Sequence, residues 1–237
     1  MPCASLLTFI ALSACTPQSA EAPKFPKPDR PVSATGSTQF STEVQRDKLG
    51  EAKAVMDLAR IAEGTTVADI GAGEGYYTVR LAERVGAKGR VLAVDIDQGA
   101  IQRLGQRVER ERLDNVSIKT GLPEDPRLPE KSFDRVFLVH MYHEVADPYG
   151  FLWRMRPGLK PGGQVIVVDV DRPTDKHGIP PALLFCEMGA VGFRLAQFVR
   201  KPELTGYYAQ FEATGTRPEP GAIKPCKLGA DGTAVQR

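Results

Sequence analysis

Apolar positions along the chain alternate between helical and strand periods. From Val44 to Ala62, the residues Ala52, Val55, Met56 and Ala59 recur at helical spacing, and Gly64 ends the run. Thr66–Ile70 is a short β-prone segment that runs into Gly71 to Gly75, after which Tyr77, Leu81, Ala82 and Val85 share one helix face. Arg90–Asp95 has the pattern of a buried strand and Gln98–Glu111 that of an exposed, charge-laced helix. Residues 116–119 and 135–139 are two more strands. Asp147 followed by Pro148 makes an N-cap and first turn for a helix through Met155. The turn Lys160-Pro161-Gly162-Gly163 leads into a Val/Ile-rich strand at 164–169. A helix at 182–191 and strands at 194–199 and Tyr207–Ala213 complete the series. Strict β/α alternation predicts an α/β fold with a doubly wound, mostly parallel seven-stranded sheet. It forms a single domain over residues 40–213, with flexible tails; the Gly/Pro-rich stretch 214–237 is expected to be loose.

The chain has 237 residues, 42% hydrophobic and 25% charged, with a formal net charge of +2. Those values exclude wholesale disorder, a collagen-like fibre and a polytopic membrane protein. No block of basic residues offers a nucleic-acid surface. The apolar run at 6–14 is too short for a helix needing about 20 residues to span a bilayer, and it fits the core of a secretory signal. Leu12-Ser13-Ala14-Cys15 resembles the bacterial lipoprotein box, although no Lys or Arg precedes the apolar run. That resemblance implies that residues 1–14 leave as a signal peptide and Cys15 is acylated. Residues 15–39, with Pro17, Pro23, Pro26, Pro28 and Pro31, become a Pro-rich spacer. The domain would then face the periplasm in the cell envelope, touching the membrane only through Cys15; without a working signal it would be cytoplasmic. Cys186 and Cys226 remain, and the sequence leaves open whether they pair. The three histidines, His140, His143 and His177, have no metal-ligand spacing, so no metal is expected.

Candidate chemistry begins after the first strand, in Asp69-Ile70-Gly71-Ala72-Gly73-Glu74-Gly75-Tyr76. Glycines there let the backbone turn tightly and approach a ligand, and the next helix aims its N-terminus at it. A dinucleotide fingerprint needs a small residue at position 76, where Tyr76 stands, which disfavours a nicotinamide-dependent reductase. An acid two residues before GxGxG resembles instead the first motif of the class I S-adenosylmethionine-dependent methyltransferases. The likeness continues through Asp95 at the end of the second strand, through Phe133-Asp134, and through the turn at Lys160-Pro161-Gly162-Gly163, and covers residues 44–213.

The resemblance implies a Rossmann-like methyltransferase fold and S-adenosylmethionine as cofactor. It places Asp69, Gly71, Gly73 and Gly75 in the cofactor loop, Asp95 on the ribose hydroxyls with Asp97 as runner-up, and Ile96 against the adenine. Tyr76 would wall the cofactor. The acid the family often carries after the glycine beyond strand three is missing, since Leu122 follows Gly121, so Glu124, Asp125 or a backbone group would contact the adenine amino group. The transferred methyl would lie near the end of the fourth strand, where His143 or Glu144 would take a proton from the acceptor and Tyr142 would orient it. His140, earlier on the apolar strand, is expected to be a satisfied core histidine. The first helix, the loop at 171–181 and the helix after it would select a small-molecule acceptor. The alternative function is a non-catalytic envelope lipoprotein that keeps the fold and binds a nucleoside-like or other small ligand.

Overall fold

The structure, a computed structural model, describes residues 22–33, 43–204 and 206–237. The signal segment and Cys15 lie outside the described residues. The sheet strands are β1 (Thr66–Ile70), β2 (Arg90–Asp95), β3 (Val116–Thr120), β4 (Phe133–Val139), β5 (Leu159–Asp169), β6 (Phe193–Val199) and β7 (Tyr207–Ala213). The helices are α1 (Glu43–Leu49), α2 (Glu51–Leu58), α3 (Tyr76–Val85), α4 (Gln98–Glu111), α5 (Pro148–Met155) and α6 (Pro181–Ala190).

One seven-stranded sheet runs in the order β3-β2-β1-β4-β5-β7-β6. Its first five members pair in parallel, and β7 enters antiparallel between β5 and β6. The period-two side-chain alternation explains why both faces are apolar. In β5, Val165 and Val167 enter the core beneath α5 and α6, whereas Ile166 and Val168 enter the one beneath α2 and α3; all four are fully buried. Strand order reverses between β1 and β4, so their carboxyl ends open a crevice at that switch point.

Three expectations are corrected. The helix expected from Val44 to Ala62 breaks into α1 and α2, because Gly50 takes a left-handed conformation (φ 73°) and caps α2. The stretch 214–237 is not loose. It carries strands β8 (Cys226–Leu228) and β9 (Ala234–Gln236), paired as an antiparallel hairpin. A Cys186–Cys226 disulfide, with Cα atoms 5.9 Å apart, staples it to α6. The Trp153 indole N–H donates to the Pro218 carbonyl at 2.8 Å, and Arg217 lies over the Trp153 ring. Nor is the Pro-rich segment a free spacer over residues 22–33. Its prolines exclude helix and strand, as expected, but the stiff chain lies as a strap on the domain. Phe25 packs on Trp153 (5.5 Å between ring centroids), and Arg30 ion-pairs with Glu187 on α6 at 2.8 Å. A pre-stiffened segment loses little entropy on docking, so a few side-chain contacts hold it.

Candidate active site

The switch-point crevice is a cavity of about 880 Å³. That volume suits a small molecule of cofactor size. The glycine loop forms its floor. The Gly71 and Ala72 N–H groups both donate to the Val94 carbonyl, at 2.8 and 3.1 Å, which draws the loop across the end of β2. Gly73 is bound by the carboxylate of Asp95, whose Oδ2 accepts the Gly73 N–H at 2.8 Å while Oδ1 accepts the Asp97 N–H at 2.9 Å. A carboxylate has four lone-pair sites, so Asp95 can brace the loop and still accept from a ligand. Asp97 serves as the N-cap of α4, accepting from Gly99 and Ala100.

Gly71, Gly73, Asp95, Asp97 and Ile96 all line the cavity. Asp69, Gly75, Tyr76, Glu124 and Asp125 do not. Asp69 is buried beneath the loop and accepts the Thr78 hydroxyl at 2.7 Å. Burial pushes its carboxyl up to about 6, with the nearby Asp95 charge adding to the shift and Thr78 opposing it. Gly75 caps α3 with φ 91°. Tyr76 turns away toward α1, where its hydroxyl donates to Asp47 at 3.1 Å and the Arg46 and Arg80 guanidinium groups flank its ring. Asp125 caps the turn after it, its Oδ1 accepting the Arg127 N–H at 2.7 Å, and Leu122, Pro123 and Pro126 form an apolar wall instead.

Arg46 reaches the cavity from α1 and was not singled out by the sequence. It ion-pairs at 2.7 Å with Glu51, which also accepts the Tyr77 hydroxyl at 3.1 Å. His140 Nε2 lies 3.2 Å from the second Glu51 oxygen, but His140 is not the core strand histidine expected: it follows the end of β4 with a left-handed φ of 54° and lines the cavity. Burial opposes ionisation of Glu51, but His140 and Arg46 outweigh it and hold the carboxyl far below its ordinary range. No local periodicity marks Arg46, because α1 exposes all its residues to some degree and shows no buried face.

The three catalytic candidates separate. Residues Tyr142–Glu144 form a single 3-10 turn, whose tight pitch sends consecutive side chains in different directions. Only Glu144 lines the cavity. Tyr142 is fully buried on the far side and donates to Glu187 Oε2 at 2.9 Å, and burial raises its phenol well above the ordinary value. It is therefore placed to support α6 rather than to touch an acceptor. His143 is also fully buried, with Nδ1 3.0 Å from both oxygens of Asp169 at the end of β5. Its ring packs edge-on against His177, 5.7 Å between centroids, so the fold unites two histidines that sequence spacing kept apart.

Sheet order, switch-point cavity and glycine loop define the Rossmann-like methyltransferase fold. Residues 67–163 match the family model described as a methyltransferase domain. A demethylmenaquinone methyltransferase of Listeria welshimeri is 31% identical over 121 residues, 51% of this chain and 51% of that protein. The chain thus matches about half the length of such curated relatives. Among solved structures, a SAM-dependent methyltransferase from Aquifex aeolicus superposes with a TM-score of 0.62 at 22% identity, covering 73% of this chain and 97% of that one. The glycopeptide N-methyltransferase MtfA, crystallised with (S)-adenosyl-L-methionine, superposes with a TM-score of 0.57 at 13% identity, covering 69% and 87%.

Proposed function

We propose that the protein binds S-adenosylmethionine in the switch-point cavity and transfers its methyl group to a small-molecule acceptor. The observation that carries this reading is Asp95, which braces the glycine loop at Gly73 and faces the same cavity. Asp95 would hold the ribose, Ile96 with Leu122 and Pro123 the adenine, and Arg46 the anionic end of the methionine moiety. The cofactor supplies an already activated sulfonium methyl, so this chain's task is to position the acceptor and exclude water. Of the three catalytic candidates Glu144 is the one that faces the cavity, and we assign it the acceptor's proton. Met141, Val145 and Phe151 provide an apolar lining suited to an aromatic acceptor. Demethylmenaquinone, named for the Listeria relative, is the first compound to test. Calorimetric titration with S-adenosylmethionine and its demethylated product should give micromolar binding that Asp95→Ala abolishes. A folded wild type that binds neither removes the proposal.

The Cys186–Cys226 disulfide favours an oxidising compartment and supports a second element of the reading, that the chain is exported and anchored through Cys15. Among the described residues no helix is long and apolar enough to cross a membrane. Export separates the domain from a cytosolic cofactor pool, so a non-catalytic envelope protein that binds a nucleoside-like ligand is the alternative. Label transfer from tritiated donor to cell metabolites distinguishes the two. Fractionation of Cys15→Ala tests the anchor: a variant that stays in the wild-type fraction overturns it.

A further inference from the structure

We infer that His143, Glu144 and His177 form a binding site for a divalent first-row transition ion at the wall of the cavity. One ligand atom from each of the three lies within 4.8 Å of the others. His143 Nε2 is buried and has no hydrogen-bond partner, and it sits 3.9 Å from Glu144 Oε1. A buried polar atom left unsatisfied is costly, and a ligand at that point would remove the cost.

The rest of the arrangement selects a cation. Asp169 is fully buried and only accepts when ionised, so its two 3.0 Å contacts put the His143 proton on Nδ1. Nε2 then carries a lone pair, aimed toward Glu144 and His177. A carboxylate that orients a histidine through its other nitrogen is the support metal-ligating histidines use. Two imidazoles and one carboxylate match the borderline donor set of Zn²⁺ and its neighbours rather than Mg²⁺ or Ca²⁺. Tetrahedral ligand bonds of roughly 2.0–2.2 Å place donor atoms about 3.3–3.6 Å from one another. Glu144 and His177 are both partly exposed, and modest side-chain rotation closes the remaining gap.

His177 is held in place by the strap. Its backbone has a left-handed φ of 53°, and its N–H donates to Ser33 Oγ at 3.0 Å. The Thr174 hydroxyl donates to the Pro31 carbonyl at 2.6 Å, which fixes the start of the same loop. Three protein ligands leave a coordination position open, and Glu144 carries the site to the cavity wall.

The proposal concerns ion binding and stands whether or not the cavity holds S-adenosylmethionine; an ion bound there engages the Glu144 carboxylate, which serves as proton acceptor only in the ion-free site. Equilibrium dialysis of the full, disulfide-intact chain against Zn²⁺ should show a single ion per chain. Co²⁺ should give the intense visible bands of a four- or five-coordinate site. His177→Ala alters a partly exposed loop residue, so the protein should stay folded while affinity falls at least tenfold and the Co²⁺ bands vanish. Asp169→Asn keeps all three ligands and should weaken binding by about 10–100-fold. Zn²⁺ should raise the melting temperature of wild type and not of His177→Ala. Binding well below one ion per chain, or equal affinity in wild type and His177→Ala, overturns the site.

Discussion

Arg30 and Glu187 are joined by a 2.8 Å ion pair in which their side chains retain only 2% and 1% of their solvent exposure. Burial works against the Arg30 charge, but Glu187 together with Tyr142 and Tyr149 outweighs it and raises its affinity for the proton. The same guanidinium donates to the Val145 carbonyl at 3.2 Å, and Glu187 also accepts from Tyr142. The strap, α6 and the turn beside the cavity therefore share one buried polar network. Arg30→Ala would strand the Glu187 charge and should cost about 3–5 kcal/mol in urea unfolding. Adding Glu187→Gln should recover part of the loss. A cost below about 1 kcal/mol for Arg30→Ala would mean the strap does not dock in solution.

Cys226 joins a closed loop of sequence separation 40 to Cys186, and its N–H donates to the Tyr149 hydroxyl at 2.6 Å. Loop-closure entropy for such a span corresponds to about 4 kcal/mol. Cys226→Ser, or reduction of wild type, should lower the unfolding midpoint accordingly, with little further effect of reductant on the variant. An unchanged midpoint in reductant would exclude a structural bridge.

Asp69 predicts a pH dependence opposite in sign to that of most carboxylates. Its folded pKa is raised from 3.8 to about 6, so the fold favours the protonated form. That contribution is complete below about 3.8 and is lost as pH rises through about 6, a change of ~3 kcal/mol at 1.36 kcal/mol per unit. Unfolding of Asp69→Asn and wild type from pH 4 to 7 should show the variant gaining about that much relative stability. A constant difference across the range would mean Asp69 does not titrate there.

Gly73 and Gly75 separate folding from binding. A methyl at Gly75, in a left-handed conformation, would collide with Leu104 Cδ1 and should cost about 1–3 kcal/mol. A methyl at Gly73 meets no atom within 4 Å, and this residue lines the cavity. Gly73→Ala should therefore keep most of its stability, paying only the left-handed strain of about 1–2 kcal/mol, while cofactor affinity drops about tenfold or more. Equal binding by wild type and Gly73→Ala would place the ligand elsewhere.

The strand and helix order was legible because each element carries its own period. Helix α4 spans Gln98–Glu111 as its charge-laced pattern predicts, and β7 spans Tyr207–Ala213 as its apolar run predicts. Asp147 caps α5, accepting the Gly150 N–H at 3.0 Å, because Asp before Pro specifies that start locally. The glycine loop was legible for the same reason: tight turns need glycine at particular positions, whatever surrounds them. The directions of neighbouring side chains were not. Tyr142 and Glu144 are two residues apart in one 3-10 turn, yet only the second reaches the cavity.

The sequence by itself determined the alternating α/β architecture and the glycine loop after the first strand. These depend on backbone conformation and on periodicities within a few residues. Tertiary structure alone decided that residues 22–33 lie as a strap, that Cys186 meets Cys226, and that His143 faces His177. It also decided that Arg46 belongs to the cavity while Tyr76 and Tyr142 do not. Each of these joins residues distant in sequence or chooses between two sides of one element. Such pairings are set by which burial the whole core can satisfy at once, and no local pattern records that choice.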